Sequence, residues 1–214
     1  MPIELEQLPM LIVLSSPSGG GKSSVCRALL AADPNLAYSV SVTSRPPRPG
    51  EVHGRDYWFV SEEEFCKLIE ADAFYEWAKV HDNYYGTRRD LVESMLNEGR
   101  DVVMDLDVVG GLTIKKMSQR AVLIYVLPPS LKTLEQRLRA RGTDPEHVIQ
   151  KRLRNARQEI NFAEKYDYVV INDDLEKTIA TIRRIIEAQR HASRHQRVKI
   201  TGEDAEYPLV EPKQ

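Results

Sequence analysis

The sequence predicts an α/β fold, a parallel sheet core covered by helices, from three observations. A glycine-rich loop, Ser15 to Ser24, stands between an apolar run and a helix-like stretch. Apolar strand-like segments alternate with helical ones along most of the chain, the pattern that produces parallel strands and crossover helices. The 214 residues, 42% of them hydrophobic, suffice for one substantial core with inserted subdomains.

Met10 to Leu14 reads as a buried strand, and Val25 to Leu30 as the body of a helix. Between them runs Ser15-Ser16-Pro17-Ser18-Gly19-Gly20-Gly21-Lys22-Ser23-Ser24. Strand, loop and helix in that order are the context a phosphate-binding loop requires. Consecutive glycines let successive backbone N–H groups converge on a phosphate, and the helix start adds its partial positive charge. Lys22 would reach the β- and γ-phosphates and the Ser23 hydroxyl would coordinate Mg²⁺, with Ser18, Gly19, Gly20, Gly21 and Ser24 completing the nucleotide-binding set. Ser16 stands where the pattern G-x-x-x-x-G-K-[ST] has its first glycine, which a negative φ would permit. A Gly/Ser-rich surface loop is the alternative, but it leaves the buried strand and the Lys-Ser helix start unexplained.

The helix stops at Ala32-Asp33-Pro34, since proline disfavours helix at the residue before it. Leu36 to Thr43 then alternates as a strand, with Ser39, Ser41 and Thr43 on its polar face. Ser44 to Glu51 is a proline-stiffened turn holding Arg45 and Arg48, whose rigid forks match phosphate oxygens. Val52 to Val60 reads as a strand, and Ser61-Glu62-Glu63-Glu64 as a capping box opening a helix through Ala71. Phe74 to Val80 and Asn83 to Thr87 are short aromatic strands, with Glu76 among apolar neighbours, followed by a helix from about Arg88 to Asn97. Asp101 to Asp107 is an apolar strand ending in alternating acids, where a Walker-B-type carboxylate would meet Mg²⁺. A helix through Met117 and an apolar strand, Ala121 to Leu127, come next. Ser130 to Ala163 is helical and basic, and Gly142-Thr143-Asp144-Pro145 breaks it into a hairpin that suits a lid with arginine clamps. A last strand, Tyr166 to Ile171, and a helix to about Gln189 leave a polar remainder with no legible role.

A formal net charge of -2 argues against bulk affinity for nucleic acid or membrane. Cys26 and Cys66 lack metal-ligand or CxxC spacing and read as reduced thiols. Neither a basic leader nor an apolar run near ~18 residues is present, so a cytoplasmic location is expected.

Together these pieces resemble the guanylate kinases of bacterial type, from about Met10 to Arg190. The resemblance rests on the loop above, on Ser41 to Glu51 with Gly54-Arg55-Asp56-Tyr57, on Phe74-Tyr75-Glu76-Trp77-Ala78, on Tyr84-Tyr85-Gly86-Thr87, on Asp105-Leu106-Asp107 and on Arg137 to Gly142. It implies a P-loop NTPase fold whose core spans 1–36, 98–130 and 164–190, with a GMP-binding insert at 37–97, a helical lid at 131–163 and a tail at 191–214. It further implies that Arg45, Arg48, Tyr57 and Tyr85 hold the GMP phosphate, while Ser41, Glu76, Thr87 and Asp107 surround guanine. Lys22, Arg137, Arg141 and Arg152 would neutralise the migrating phosphoryl group. Asp105 would join the Mg²⁺ network through a water, and Asn172 would lie near adenine. ATP and Mg²⁺ are the implied cosubstrate and metal, and GMP or dGMP the acceptor. No nucleic-acid or membrane partner is implied, and a homo-oligomer is left open. Two other readings stand beside this one: a non-catalytic protein-binding module of the same fold, and a P-loop kinase for another phosphorylated acceptor such as a ribose bisphosphate.

Overall fold

The central strands are set by apolar runs buried on both faces, as a helix-covered parallel sheet demands: Leu11 to Leu14, Val102 to Met104 and Ala121 to Val126 are all buried. The computed structural model describes residues 3–80, 82–140, 142 and 144–200. The chain begins β1 (Ile3–Gln7), β2 (Leu11–Ser15), α1 (Lys22–Ala32), β3 (Leu36–Tyr38), β4 (Val42–Thr43) and β5 (Trp58–Phe59). It continues through α2 (Glu62–Glu70), β6 (Phe74–Val80), β7 (Asn83–Arg88), α3 (Arg89–Asn97), β8 (Asp101–Asp105), α4 (Val108–Met117) and β9 (Ala121–Leu127). It closes with α5 (Leu131–Ala140), α6 (Glu146–Glu159), a 3₁₀ turn at Ile160–Lys165, β10 (Tyr168–Ile171), α7 (Leu175–Arg190) and β11 (Gln196–Ile200).

Five parallel strands in the order β10-β9-β2-β8-β3 form the core sheet. Val25, Cys26 and Leu29 of α1 pack on one face with Ile182 and Ile186 of α7. Val92 and Leu96 of α3 pack on the other with Val108 and Ile114 of α4. The expected P-loop α/β core is therefore present, and α3, read from sequence as part of the insert, packs its apolar face on the core sheet.

The insert carries a second sheet in the order β5-β4-β7-β6, mostly antiparallel. Its small core stacks Phe65 of α2 on Phe74 and Tyr84, at 4.6 and 5.3 Å between ring centroids. The capping box is formed at α2, Ser61 and Glu64 each bonding the other's backbone N–H.

Three sequence readings differ from the fold. The strand expected over Leu36 to Thr43 is two: β3 pairs with β8 in the core sheet, and after Ser39 the chain crosses to the insert. Val52 to Val60 is mostly a turn, because Asp56 takes the Val52 N–H and Gly54 adopts φ +80°, leaving Trp58 and Phe59 to pair. Part of the region read as a tail is β11, which pairs antiparallel with β1, Ile3 opposite Ile200 and Gln7 opposite Gln196.

Arg190 locks the end of α7 to the core. Its guanidinium donates to Asp101 at 2.9 Å and to Asp33 at 2.8 Å, and Asp101, 1% exposed, also accepts the Met10 N–H at 2.9 Å. Arg190→Ala leaves a buried carboxylate without its cation, so stability is expected to fall by about 2–3 kcal/mol. Urea denaturation checks this; a loss under about 0.5 kcal/mol would relegate the contact to a surface pair.

Candidate active site

The loop after β2 lies at the carboxyl end of the sheet, where open α/β folds bind ligands. Gly19 and Gly21 adopt φ +92° and +95°, a conformation side chains resist, and Gly21 caps α1. A Cβ at Gly19 would stand 2.9 Å from Leu138 and one at Gly21 would collide with the Asn172 amide. The backbone is thereby shaped into a cradle only glycine can line. Ser16 keeps a φ outside the positive range, so serine at the first motif position is accommodated.

Lys22 begins α1 and is held before any substrate arrives. Its Nζ lies 2.6 Å from Asp105 Oδ1 and donates to the Leu106 carbonyl at 2.7 Å. Ser23 Oγ donates to the other oxygen of Asp105 at 3.4 Å. A hydroxyl and a carboxylate this close at an open helix start are hard oxygen donors of the kind Mg²⁺ takes, with room for its waters, so these residues fit that ion. Ser15 Oγ donates to the Leu106 carbonyl at 2.9 Å, tying β2 to the end of β8. Asp107 lies beyond the strand, as the N-cap of α4, accepting the Gly110 N–H at 2.8 Å.

The insert faces this loop across a cleft. Ser41, Tyr57, Glu76, Tyr85, Asp105 and Asp107 line a cavity of about 230 Å³. Ser41, Tyr57 and Asp105 also border a larger one of about 750 Å³ that reaches Ser23, so the two cavities share walls. Thr87, 1% exposed, donates to Glu76 Oε1 at 2.7 Å. Arg45 donates through one terminal nitrogen, Nη2, to both carboxylate oxygens of Glu51, at 2.8 and 2.9 Å, and lies 5.5 Å over the Tyr57 ring and 5.7 Å over Phe59. That pairing, and the Arg48 N–H, hold the Glu51 carboxyl below the usual carboxylate range. Arg48 itself is exposed, contributing that backbone donor at 2.7 Å. Burial pushes the Tyr57 phenol up, aided by Tyr85 and Asp105.

Glu76 is a carboxylate whose charge its surroundings disfavour. Burial, helped by Asp107, raises its pKa against the hydrogen bond from Thr87. A carboxyl raised in the folded state stabilises the fold below its unfolded pKa and loses that contribution as pH rises through the folded value, where the unfolded chain ionises more readily. Glu76→Gln should therefore stabilise the ligand-free protein by about 1 kcal/mol at pH 8, with the gap closing toward pH 4. Thermal melts at both pH values check the sign; a variant less stable than the parent at pH 8 would reverse it.

Of the expected lid residues, Arg137 donates to the Asn172 carbonyl at 2.8 Å, and its other terminal nitrogen is buried without a partner beside Gly21. Arg152 pairs with Asp144 at 3.3 Å, within the hairpin. Arg141 lies outside the described residues. Asn172, buried, props the loop, its amide donating to the Gly20 carbonyl at 3.0 Å. It borders a cavity with Gly19, Gly21, Ser24 and Arg137. Two contributors escaped the sequence reading. Glu51 stands in the same turn as Arg45 but becomes its partner only once that turn closes. Glu159 accepts the Ser18 N–H at 3.2 Å from 141 residues away. Among the described residues no helix is long and apolar enough to cross a membrane.

Residues 9–189 match the family model described as guanylate kinase. Curated proteins named guanylate kinase are similar over most of their length. That of Caldanaerobacter subterraneus subsp. tengcongensis is 47% identical, covering 88% of this chain and 91% of its own; that of Rickettsia typhi is 50% identical, covering 85% and 92%. The crystal structure of guanylate kinase from Anaplasma phagocytophilum superposes with a TM-score of 0.74 at 34% identity, covering 90% of this chain and 92% of that one. The chain belongs to the guanylate kinase family.

Proposed function

We propose that the protein transfers the γ-phosphoryl group of ATP to GMP, giving ADP and GDP. The observation that carries this reading is the double membership of Asp105. It pairs with the phosphate-loop lysine at 2.6 Å and walls the cavity that holds Glu76, so the donor and acceptor halves of the site meet at one carboxylate. The acceptor attacks through a phosphate oxygen already ionised at neutral pH, the bond from γ-phosphorus to the β–γ bridging oxygen breaks, and no general base is assigned. Catalysis then consists of positioning and charge neutralisation. Lys22 follows the migrating charge, and the loop amides hold the remaining phosphates. Arg45, Arg48, Tyr57 and Tyr85 order the acceptor phosphate, while Ser41, Glu76, Thr87 and Asp107 read guanine. Arg137, Arg141 and Arg152 serve the phosphoryl group when the hairpin α5–α6 closes as a lid and excludes water. Ser23 and Asp105 would hold Mg²⁺, which would supply further neutralisation of the phosphate charge.

In this reading the insert is the acceptor domain, and Asn172 supports the loop under the adenine side. The cytoplasm is the proposed compartment, consistent with free thiols at Cys26 and Cys66. A coupled ADP-release assay with GMP, dGMP, AMP, CMP and a ribose bisphosphate tests the assignment. Turnover confined to GMP and dGMP is expected, and preference for any other acceptor would overturn it.

A further inference from the structure

The hairpin α5–α6 is seated on the phosphate loop by two different contacts. Leu134 and Leu138 of α5 share a small core with Ile149 and Ala156 of α6, and the same leucines lie against Gly19. The second contact is polar: Glu159, the last residue of α6, accepts the N–H of Ser18 through Oε2 at 3.2 Å. The position of Glu159 is fixed in turn by the fully buried Tyr125, whose hydroxyl donates to the Glu159 carbonyl at 2.8 Å. Glu159 therefore borders the phosphate cavity while anchored to the core sheet.

We propose that Glu159 is a positioning residue that sets the phosphate loop for ATP and anchors the end of α6 from which Arg152 swings. Ser18 precedes the first positive-φ glycine, so fixing its amide fixes the direction in which Gly19 to Ser23 turn their own N–H groups. Arg152 stands seven residues before Glu159, two helical turns and roughly 10 Å away on the same face of α6. A helix pinned at Glu159 keeps that distance while its other end moves, so Arg152 returns to one place above the loop at every closure. A carboxylate beside a site for a polyanion is electrostatically unfavourable, and the hydrogen bond it makes explains its presence there.

The proposal rests on the reading of Ser16 to Ser23 as the triphosphate site, and the test separates the two. Calorimetry with the β,γ-imido analogue of ATP and Mg²⁺, and separately with GMP, is run on the parent, Glu159→Ala and Glu159→Gln. The alanine variant should bind the analogue roughly tenfold more weakly, with GMP affinity unchanged within twofold. Glutamine, whose amide oxygen still accepts from Ser18, should recover most of the loss. Unchanged or tighter analogue binding by the alanine variant, a parallel loss of GMP affinity, or a glutamine variant as weak as alanine would each overturn it. Failure of the parent to phosphorylate GMP would sink the proposed reaction while leaving the analogue measurements readable.

Discussion

Replacing Lys22 by alanine is expected to lower kcat by on the order of 10² or more, roughly 3 kcal/mol of transition-state stabilisation, while GMP affinity changes far less. The ammonium is already placed, 2.6 Å from Asp105 and 2.7 Å from the Leu106 carbonyl, at the start of α1. A cation fixed at the loop in this way is the kind of preorganised charge that stabilises a transition state most. Arg152 is turned to Asp144 and Arg137 to the Asn172 carbonyl, so neither stands where Lys22 does, between Asp105 and the Leu106 carbonyl. Steady-state kinetics with saturating GMP and ATP measure the effect. A variant with near-normal kcat would remove Lys22 from the mechanism.

The largest expected effect is in base choice. Guanine offers N1–H and a 2-amino group as donors, which ionised Glu76 would accept, with the Ser41 hydroxyl as the donor to O6. Thr87 commits its hydroxyl hydrogen to Glu76 Oε1, which leaves the carboxylate further acceptor capacity for a base. Adenine would set its bare N1 against that carboxylate, lone pair to lone pair, in a site where burial already disfavours the charge. Discrimination of GMP over AMP on the order of 10⁴ in kcat/KM follows from leaving such a group unpaired. Glu76→Gln, which exchanges one acceptor for a donor, should cost roughly 2–4 kcal/mol with GMP. dGMP should remain a good acceptor, since none of the assigned residues reads the 2′-hydroxyl. Comparable turnover of AMP and GMP, or indifference of GMP turnover to Glu76→Gln, would return the acceptor to the unknown. The same substitution should make the ligand-free fold more stable at pH 8, so loss of activity and gain of stability are expected in one variant.

The core was legible because its strands are continuous apolar runs between turn residues, and the loop because glycine, lysine and serine follow one of them in order. What the sequence concealed depends on pairing across distance. Ile3 and Leu5 alternate with Glu4 and Glu6 as any exposed segment could, and only the opposite strand, with Val198 facing Leu5, makes them β1. The alternation from Leu36 to Thr43 is unbroken in sequence, yet Ser39 N–H goes to Val103 while Val42 pairs with Gly86 of another sheet. Among the proposed site residues, Lys22, Ser23 and Asp105 stand out in the sequence through local context, and the fold brings the three together. Glu159 does not stand out, since a glutamate at the end of a charged helix reads as a solvated side chain until Ser18 comes within reach.

Ser16 and Gly20 occupy a single pocket of volume within the loop. A Cβ at Gly20 would meet Ser16 Cβ at 2.9 Å, Ser16 Oγ at 3.0 Å and the Pro17 carbonyl at 3.0 Å. The side chain that departs from the usual loop pattern therefore fills the room its neighbour leaves empty. Substitutions at the two positions are sterically coupled in consequence. Glycine at 16 followed by alanine at 20 meets one of the three close contacts, whereas the opposite order meets all three and forces the loop to shift. Comparison across descendants should find the two sites changing together and in that direction.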